Sequence, residues 1–335
     1  RAVALTGARA GSVVTLDSHS GEVLAIVNHP VYNPNNRESL DPASTRNRAL
    51  TDEFEPGSTV KPLTLVAALE SGRYTPDTIV DTSPGRIRVG RKVLPDPRNY
   101  GELTLARVIA KSSQVGVTKV ALDLGREPVW NTFQRFGLGA PLGTGFPGES
   151  AGRLPDRPRW RPIEEVTLAF GYGLTATPLQ LARAYSVFAS GGVLPEVSLL
   201  HRAPGEAPGR RILQPETAAA VRRVLQGVTA DDATGHRARV AGYEVGGKTG
   251  TVHKVGAGGY LDDQYIALFA GLAPVEAPRF VTVVVLDRPQ GDHYGGGAAA
   301  APVFARVAEG ALRLLNVPPA AAASGAALAA LESGP

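Results

Sequence analysis

Cysteine and methionine are both absent from this chain of 335 residues. Without cysteine there is no disulfide, no thiol nucleophile and no thiolate metal ligand, though compartment is left open. The missing methionine, with a start at Arg1, reads as a fragment of a longer translation product and also fits an engineered sequence. The histidines (His19, His29, His201, His236, His253 and His293) show no H-x-x-x-H spacing, so no zinc site is expected. No apolar run approaches the roughly 18–20 residues of a membrane span, and no signal-peptide pattern is present. No basic–aromatic stretch or compact basic run marks a nucleic-acid surface. The net charge of +4, carried by scattered arginines, fits acidic or membrane-proximal surroundings without requiring nucleic acid.

What is present is enough apolar sequence, 43% of residues, for one large domain or two small ones. Residues 12–28 read as a β-hairpin, two β-branched runs around Ser18-His19-Ser20-Gly21. Residues 30–50 read as a long connection, and 73–101 as a Pro/Gly-rich loop with a short hairpin near 86–94. Helices are expected at 104–110 (capped by Thr104), 115–124 (ending at Gly125), 128–137, from Thr177-Pro178 to Gly191, and from Pro215 onward. The stretch 139–163 lacks periodicity. Strands are expected at 243–253, 264–272 and 280–287, then a helix over about 302–315. Strands at both ends and helices between them argue α+β. The simplest assembly is one antiparallel sheet built from both chain ends and packed with a helical subdomain. A domain over 1–316 follows, with a sheet lobe at about 1–30 and 240–316 and a helical lobe at about 55–235. A disordered tail is expected at 317–335.

The stretch Glu55-Pro56-Gly57-Ser58-Thr59-Val60-Lys61-Pro62 puts a hydroxyl three residues before an amine at a helix start. Positions i and i+3 share a helix face, and a free helix N-terminus offers unpaired N–H groups. That suits an activated nucleophile with backbone donors for an oxyanion. Pro62 cannot donate to the Ser58 carbonyl, so Ser58 is expected in the very first turn. Alone, the triplet is equally an exposed helix pair. Two further clusters follow: Ser112-Ser113-Gln114, also readable as a capped helix–helix turn, and Lys248-Thr249-Gly250-Thr251, also readable as an exposed strand end. On a strand, Thr249 and Thr251 share one face. Gly247 and Gly250 leave room for close approach to the backbone.

In this order the three clusters resemble the S-x-x-K, S-x-N and K-T-G set of penicillin-recognising serine enzymes. The resemblance extends to Val31-Tyr32-Asn33-Pro34-Asn35-Asn36, Arg46-Asn47-Arg48, Gly171-Tyr172-Gly173-Leu174 and Ala301-Pro302-Val303-Phe304. Over about residues 10–318 the chain is similar to class B penicillin-binding proteins, above all their division-specific transpeptidases. The resemblance implies the penicillin-binding transpeptidase/serine β-lactamase-like fold, with the family's membrane anchor and N-terminal pedestal absent from this chain. It implies Ser58 as the acylated nucleophile and Lys61 as its base, kept neutral by burial or by Lys248. Ser112 would relay a proton to the leaving amine, and Gln114 would stand where the family has Asn. The N–H groups of Ser58 and Thr251 would form the oxyanion hole. Thr249 would bind the substrate carboxylate within the Lys248-Thr249-Gly250-Thr251 strand, and Tyr172 would wall the cleft unless it is a core tyrosine.

The implied reaction is D,D-transpeptidation of peptidoglycan stem peptides, with β-lactam antibiotics acylating Ser58. No cofactor and no metal are implied. The implied location is the periplasmic face of the inner membrane, with partners among division-complex membrane proteins, including a glycosyltransferase. Four alternatives stay open: a serine β-lactamase, a carboxypeptidase, a catalytically silent binding or scaffold protein, and an impaired or redesigned β-lactam-binding domain of the same fold. A β-lactamase needs a deacylating base. Glu149, Glu164 and Glu165 lie in the 139–165 loop, but no motif supports any of them. The glycine-rich loop 288–300 is expected to be mobile, with His293 solvated rather than catalytic.

Overall fold

The computed structural model describes residues 2–320 apart from Arg37, Ser39, Leu40, 157–159, Pro204, Ala257, Asp292 and His293. The expected state of His293, and of the tail beyond 320, lies outside the described residues. The strands are β1 (Ala10–Asp17), β2 (Val23–His29), β3 (Ile79–Asp81), β4 (Arg86–Val89), β5 (Lys92–Pro95), β6 (Glu102–Thr104), β7 (Val193–Pro195), β8 (Gly209–Arg211), β9 (Gly246–Gly256), β10 (Gly259–Ala273) and β11 (Phe280–Asp287). The helices are α1 (Ala2–Thr6), α2 (Pro42–Thr45), α3 (Arg48–Thr51), α4 (Lys61–Glu70), α5 (Leu105–Ala110), α6 (Gln114–Leu124), α7 (Arg126–Arg135), α8 (Pro162–Leu168), α9 (Pro178–Ala189), α10 (Pro215–Gly227), α11 (Gly296–Ala299) and α12 (Ala301–Leu314).

One antiparallel sheet runs β2-β1-β11-β10-β9, so both ends of the chain meet in it, as the segregation of strands and helices requires. The seam is β1 against β11, from Ala10 opposite Asp287 to Asp17 opposite Phe280. β11 reads Phe-Val-Thr-Val-Val-Val-Leu-Asp because both of its faces are covered, which removes the usual polar alternation. Val281, Val283 and Val285 face the large core shared with α4, α6 and α9. Phe280, Val284 and Leu286 face a smaller core with α12, where Phe269 lies against Phe304. Each such side chain contributes roughly 1.5–3 kcal/mol on burial, so this strand anchors the sheet. The polar member, Thr282, is fully buried and shares a hydroxyl–hydroxyl bond of 2.9 Å with Thr15 on β1.

Helix punctuation is largely where the residues put it. Thr177 and Gln180 close a capping box at the start of α9. Thr104 caps α5, and α6 ends at Gly125 with φ +78. Several elements depart from the sequence expectation. The connection 30–50 contains the single turns α2 and α3, and α8 begins inside the stretch that shows no periodicity. The ribbons β3–β6 and β7–β8 are strands of three residues, too short to show an alternation.

Candidate active site

The site is assembled around the turn that precedes α4. Pro62 has no N–H to give the Ser58 carbonyl, so Lys61 N–H reaches it instead and closes a 3-10 turn over Gly57–Val60. Ser58 is therefore in a tight turn just before the α-helix, not in the helix itself. The turn is clamped on two sides. Gly57 has φ +52, and its N–H donates to Gly171 O at 3.1 Å. A Cβ on Gly57 would stand 2.2 Å from Val252 of β9, and one on Gly171 would stand 2.2 Å from Gly57 O. Only glycine permits this backbone approach. The fully buried Tyr185 of α9 donates its hydroxyl to Thr59 O at 2.7 Å and supports the turn from the core. Ser58 is half-buried, and its hydroxyl makes no hydrogen bond among the described residues.

Lys61 is 1% exposed. Its ammonium donates to Ser112 O at 2.6 Å, to Ser112 Oγ at 3.2 Å and to Ser113 O at 3.4 Å. Burial brings its pKa down to about 7, against the opposing charge of Asp96. Lys248 on β9 is fully buried and donates to the same Ser112 Oγ at 3.0 Å and to Thr249 O at 3.0 Å. Its pKa is held well below the ordinary lysine value by burial first and by the Lys61 charge second. Two amines thus converge on one hydroxyl, in surroundings that disfavour charge on both.

Ser112 itself has φ +57, a left-handed backbone that a serine adopts only under constraint from its neighbours. Ser113 caps α6, accepting Gly116 N–H at 2.9 Å. The buried Asp96 accepts from Ser113 Oγ, from Gln114 N at 2.5 Å and from Val115 N at 3.2 Å. Gln114 is half-buried, and its side-chain amide makes no hydrogen bond among the described residues.

On β9, Thr249 donates to Thr234 Oγ1 at 2.9 Å, and Thr251 accepts Gly296 N–H at 2.9 Å. Both hydroxyls therefore engage segments on the same side of the strand, as the period of two requires. Gly250 lies against Thr59, where a Cβ would come within 2.9 Å of its methyl. Tyr172 is half-buried, edge-on to Phe170 at 5.8 Å and to Tyr260 of β10 at 5.9 Å between ring centroids. Burial, with the Glu55 charge second, pushes its phenol up to about 12. Glu55 accepts Gly173 N–H at 2.7 Å and Tyr260 OH at 2.9 Å, tying the Ser58 turn to these aromatic rings.

The structure thus brings Ser58, Lys61, Ser112, Lys248, Thr249 and Gly250 to one place. Sequence reasoning missed Asp96, Thr234, Tyr185 and Tyr260. Asp96 lies in Pro95-Asp96-Pro97, which reads as a turn, and nothing local says which helix its carboxylate caps. Of the carboxylates weighed as deacylating bases, Glu149 and Glu164 have other partners. Glu149 accepts N–H groups of Leu142, Gly143 and Thr144, and Glu164 closes the first turn of α8 with Arg161. Burial works against ionisation of Glu149, but its hydrogen bonds prevail and hold its pKa below the ordinary value.

A sheet made from both chain ends, a serine on a helix-leading turn and two buried lysines converging on a second serine define an enzyme of the penicillin-recognising serine class. The chain matches the family model described as penicillin binding protein transpeptidase domain over residues 11–309, and it belongs to that family. It is 43% identical over 319 residues to the probable peptidoglycan D,D-transpeptidase PbpC of Pseudomonas aeruginosa, covering 95% of this chain and 56% of that protein. It is 43% identical over 324 residues to the peptidoglycan D,D-transpeptidase FtsI of Escherichia coli K12, covering 97% of this chain and 55% of that protein. The chain spans about half the length of the curated relatives it matches. Among solved structures it is similar to the apo transpeptidase domain of Burkholderia pseudomallei penicillin-binding protein 3. The TM-score there is 0.87 with 41% identity, covering 95% of this chain and 92% of that one.

Proposed function

We propose that the chain cross-links peptidoglycan as a D,D-transpeptidase through a Ser58 acyl-enzyme. The observation that carries this reading is the convergence of Lys61 and Lys248 on Ser112 Oγ, with burial bringing the pKa of Lys61 down to about 7. In the reaction, neutral Lys61 takes the Ser58 proton as Ser58 Oγ attacks the carbonyl of the penultimate D-Ala. The oxyanion is held by the N–H groups of Ser58 and Thr251. Collapse breaks the peptide bond, and Ser112 passes a proton, replaced from the lysines, to the departing D-Ala amine. The amine of a second stem peptide then attacks the ester and passes a proton to Lys61. The ester C–O bond breaks as Lys61 returns that proton to Ser58 Oγ, leaving the cross-link amide and free Ser58. Thr249 binds the terminal carboxylate, Gln114 meets the donor peptide with its amide, and Tyr172 walls the cleft.

The names of the relatives support this substrate and reaction. β-Lactams acylate Ser58 in place of the stem peptide, in line with the penicillin-binding family. A periplasmic site and division-complex partners belong to the same proposal, as does treating residues 1–316 as the transpeptidase domain. Among the described residues no helix is long and apolar enough to cross a membrane. The test is acyl transfer from a D-Ala-D-lactate depsipeptide donor to a D-amino acid acceptor. An aminolysis product that disappears in Ser58→Ala is expected. Release of free acid alone, whatever the acceptor concentration, would contradict it.

A further inference from the structure

We infer that Asp96 is a positioning residue for the Ser58 reaction, holding the Ser112–Gln114 segment against the two lysines and supplying the negative charge that faces Lys61. The inference rests on the proposed role of Ser58. Asp96 is 8% exposed and follows β5, where its own N–H is fixed to Gly85 O at 2.9 Å. Its carboxylate takes three donors from the start of α6: Ser113 Oγ, Gln114 N and Val115 N. The residues just before that turn are those that receive Lys61, through Ser112 O, Ser112 Oγ and Ser113 O. Ser112 stands at φ +57, so the path of the segment depends on being tied at both ends. One end is the lysines and the other is Asp96.

Among the described residues, few charged groups surround the lysines. Lys61 faces Asp96 and Lys248. The α4 ion pair of Glu70 with Arg135 is at the far end of that helix. On α5 and just after it, Arg107 and Lys111 are paired with Asp232. On β9, Lys254 is paired with Asp287, and on α10 Arg222 donates to Phe188 O. Asp96 is therefore the carboxylate that favours the charged form of Lys61. Removing its charge makes Lys61 easier to deprotonate, while loosening the α6 cap misplaces Ser112.

The test measures the second-order rate constant for acylation by a penicillin from pH 5 to pH 9, with thermal unfolding in parallel. Asp96→Asn keeps the shape and removes the charge. The expected result is a plateau lower by about tenfold or more. The rising limb should also move to lower pH, so that the rate at pH 6 relative to plateau increases by about threefold or more. A folded Asp96→Asn protein with the plateau and limb of the wild type would overturn the inference. A lower plateau with an unmoved limb would reduce Asp96 to a helix cap and overturn it too. If Asp96→Asn does not fold, Asp96→Glu decides the matter, since it keeps the charge and shifts the oxygens. There the plateau should fall several-fold with the limb unmoved, and a wild-type plateau or a displaced limb would refute the inference. Failure of the wild type itself to acylate would instead refute the reading of Ser58.

Discussion

Gly57→Ala tests the clamp on the Ser58 turn, because its cost divides into two parts that a second substitution separates. Gly57 has φ +52, and a left-handed backbone costs an alanine about 1–2 kcal/mol. The new Cβ would also stand 2.2 Å from Val252 Cγ1, but 3.7 Å from Val252 Cβ, which is ordinary contact. Overpacking of this kind costs about 1–3 kcal/mol. Val252→Ala removes the clashing methyl, at its own cost of about 1.5–3 kcal/mol for a buried side chain. The two single losses therefore sum to about 3.5–8 kcal/mol, whereas the double variant should lose only about 2.5–5 kcal/mol, since the clash is gone. Denaturant unfolding of all four proteins gives the coupling directly. Penicillin acylation should fall about a hundredfold in Gly57→Ala, from a displacement near 1 Å, and recover in part in the double variant. Additivity within about 0.5 kcal/mol would refute the contact between the Ser58 turn and β9.

Two further outcomes follow from the same geometry. Acylation should rise with pH through a midpoint near 7, because burial brings Lys61 to about that value and only its neutral form accepts the Ser58 proton. A rate that is flat from pH 5 to pH 9 would remove Lys61 as the base. Gln114→Asn shortens the side chain by one methylene and should speed acylation several-fold, up to about a hundredfold if the amide is misplaced by 1 Å. An unchanged rate would show that the longer amide serves equally well.

The parts of the fold legible in the residues are those where one local cause dominates. β11 is apolar on both faces apart from Thr282 and the terminal Asp287 because two layers cover it, and α9 carries its own cap in Thr177, Pro178 and Gln180. The Ser58 turn was legible through Pro62, which forbids the α-helical bond to Ser58 O. The replacement bond from Lys61 N–H makes a 3-10 turn, a difference of one residue in hydrogen-bond register that no pattern displays. The candidate serines and lysines, Ser58, Ser112, Lys61 and Lys248, could be picked out by type and order. Their supports could not, because each acts across a long stretch of chain. Asp96 reaches Ser113 and α6 from a proline-flanked turn. Tyr185 reaches Thr59 from the middle of an apolar helix, and Tyr260 reaches Glu55 from a hairpin strand. α8 and the three-residue ribbons escaped notice because short elements carry too few residues for a period to emerge.

The central claim, that Ser58 forms an acyl-enzyme, is tested most directly by intact mass spectrometry of the chain after incubation with a penicillin, followed by peptide mapping. The account predicts one penicillin bound per chain, on the peptide containing Ser58, stable over many minutes and absent in Ser58→Ala. A folded protein with no adduct, or with an adduct on a peptide lacking Ser58, would contradict it.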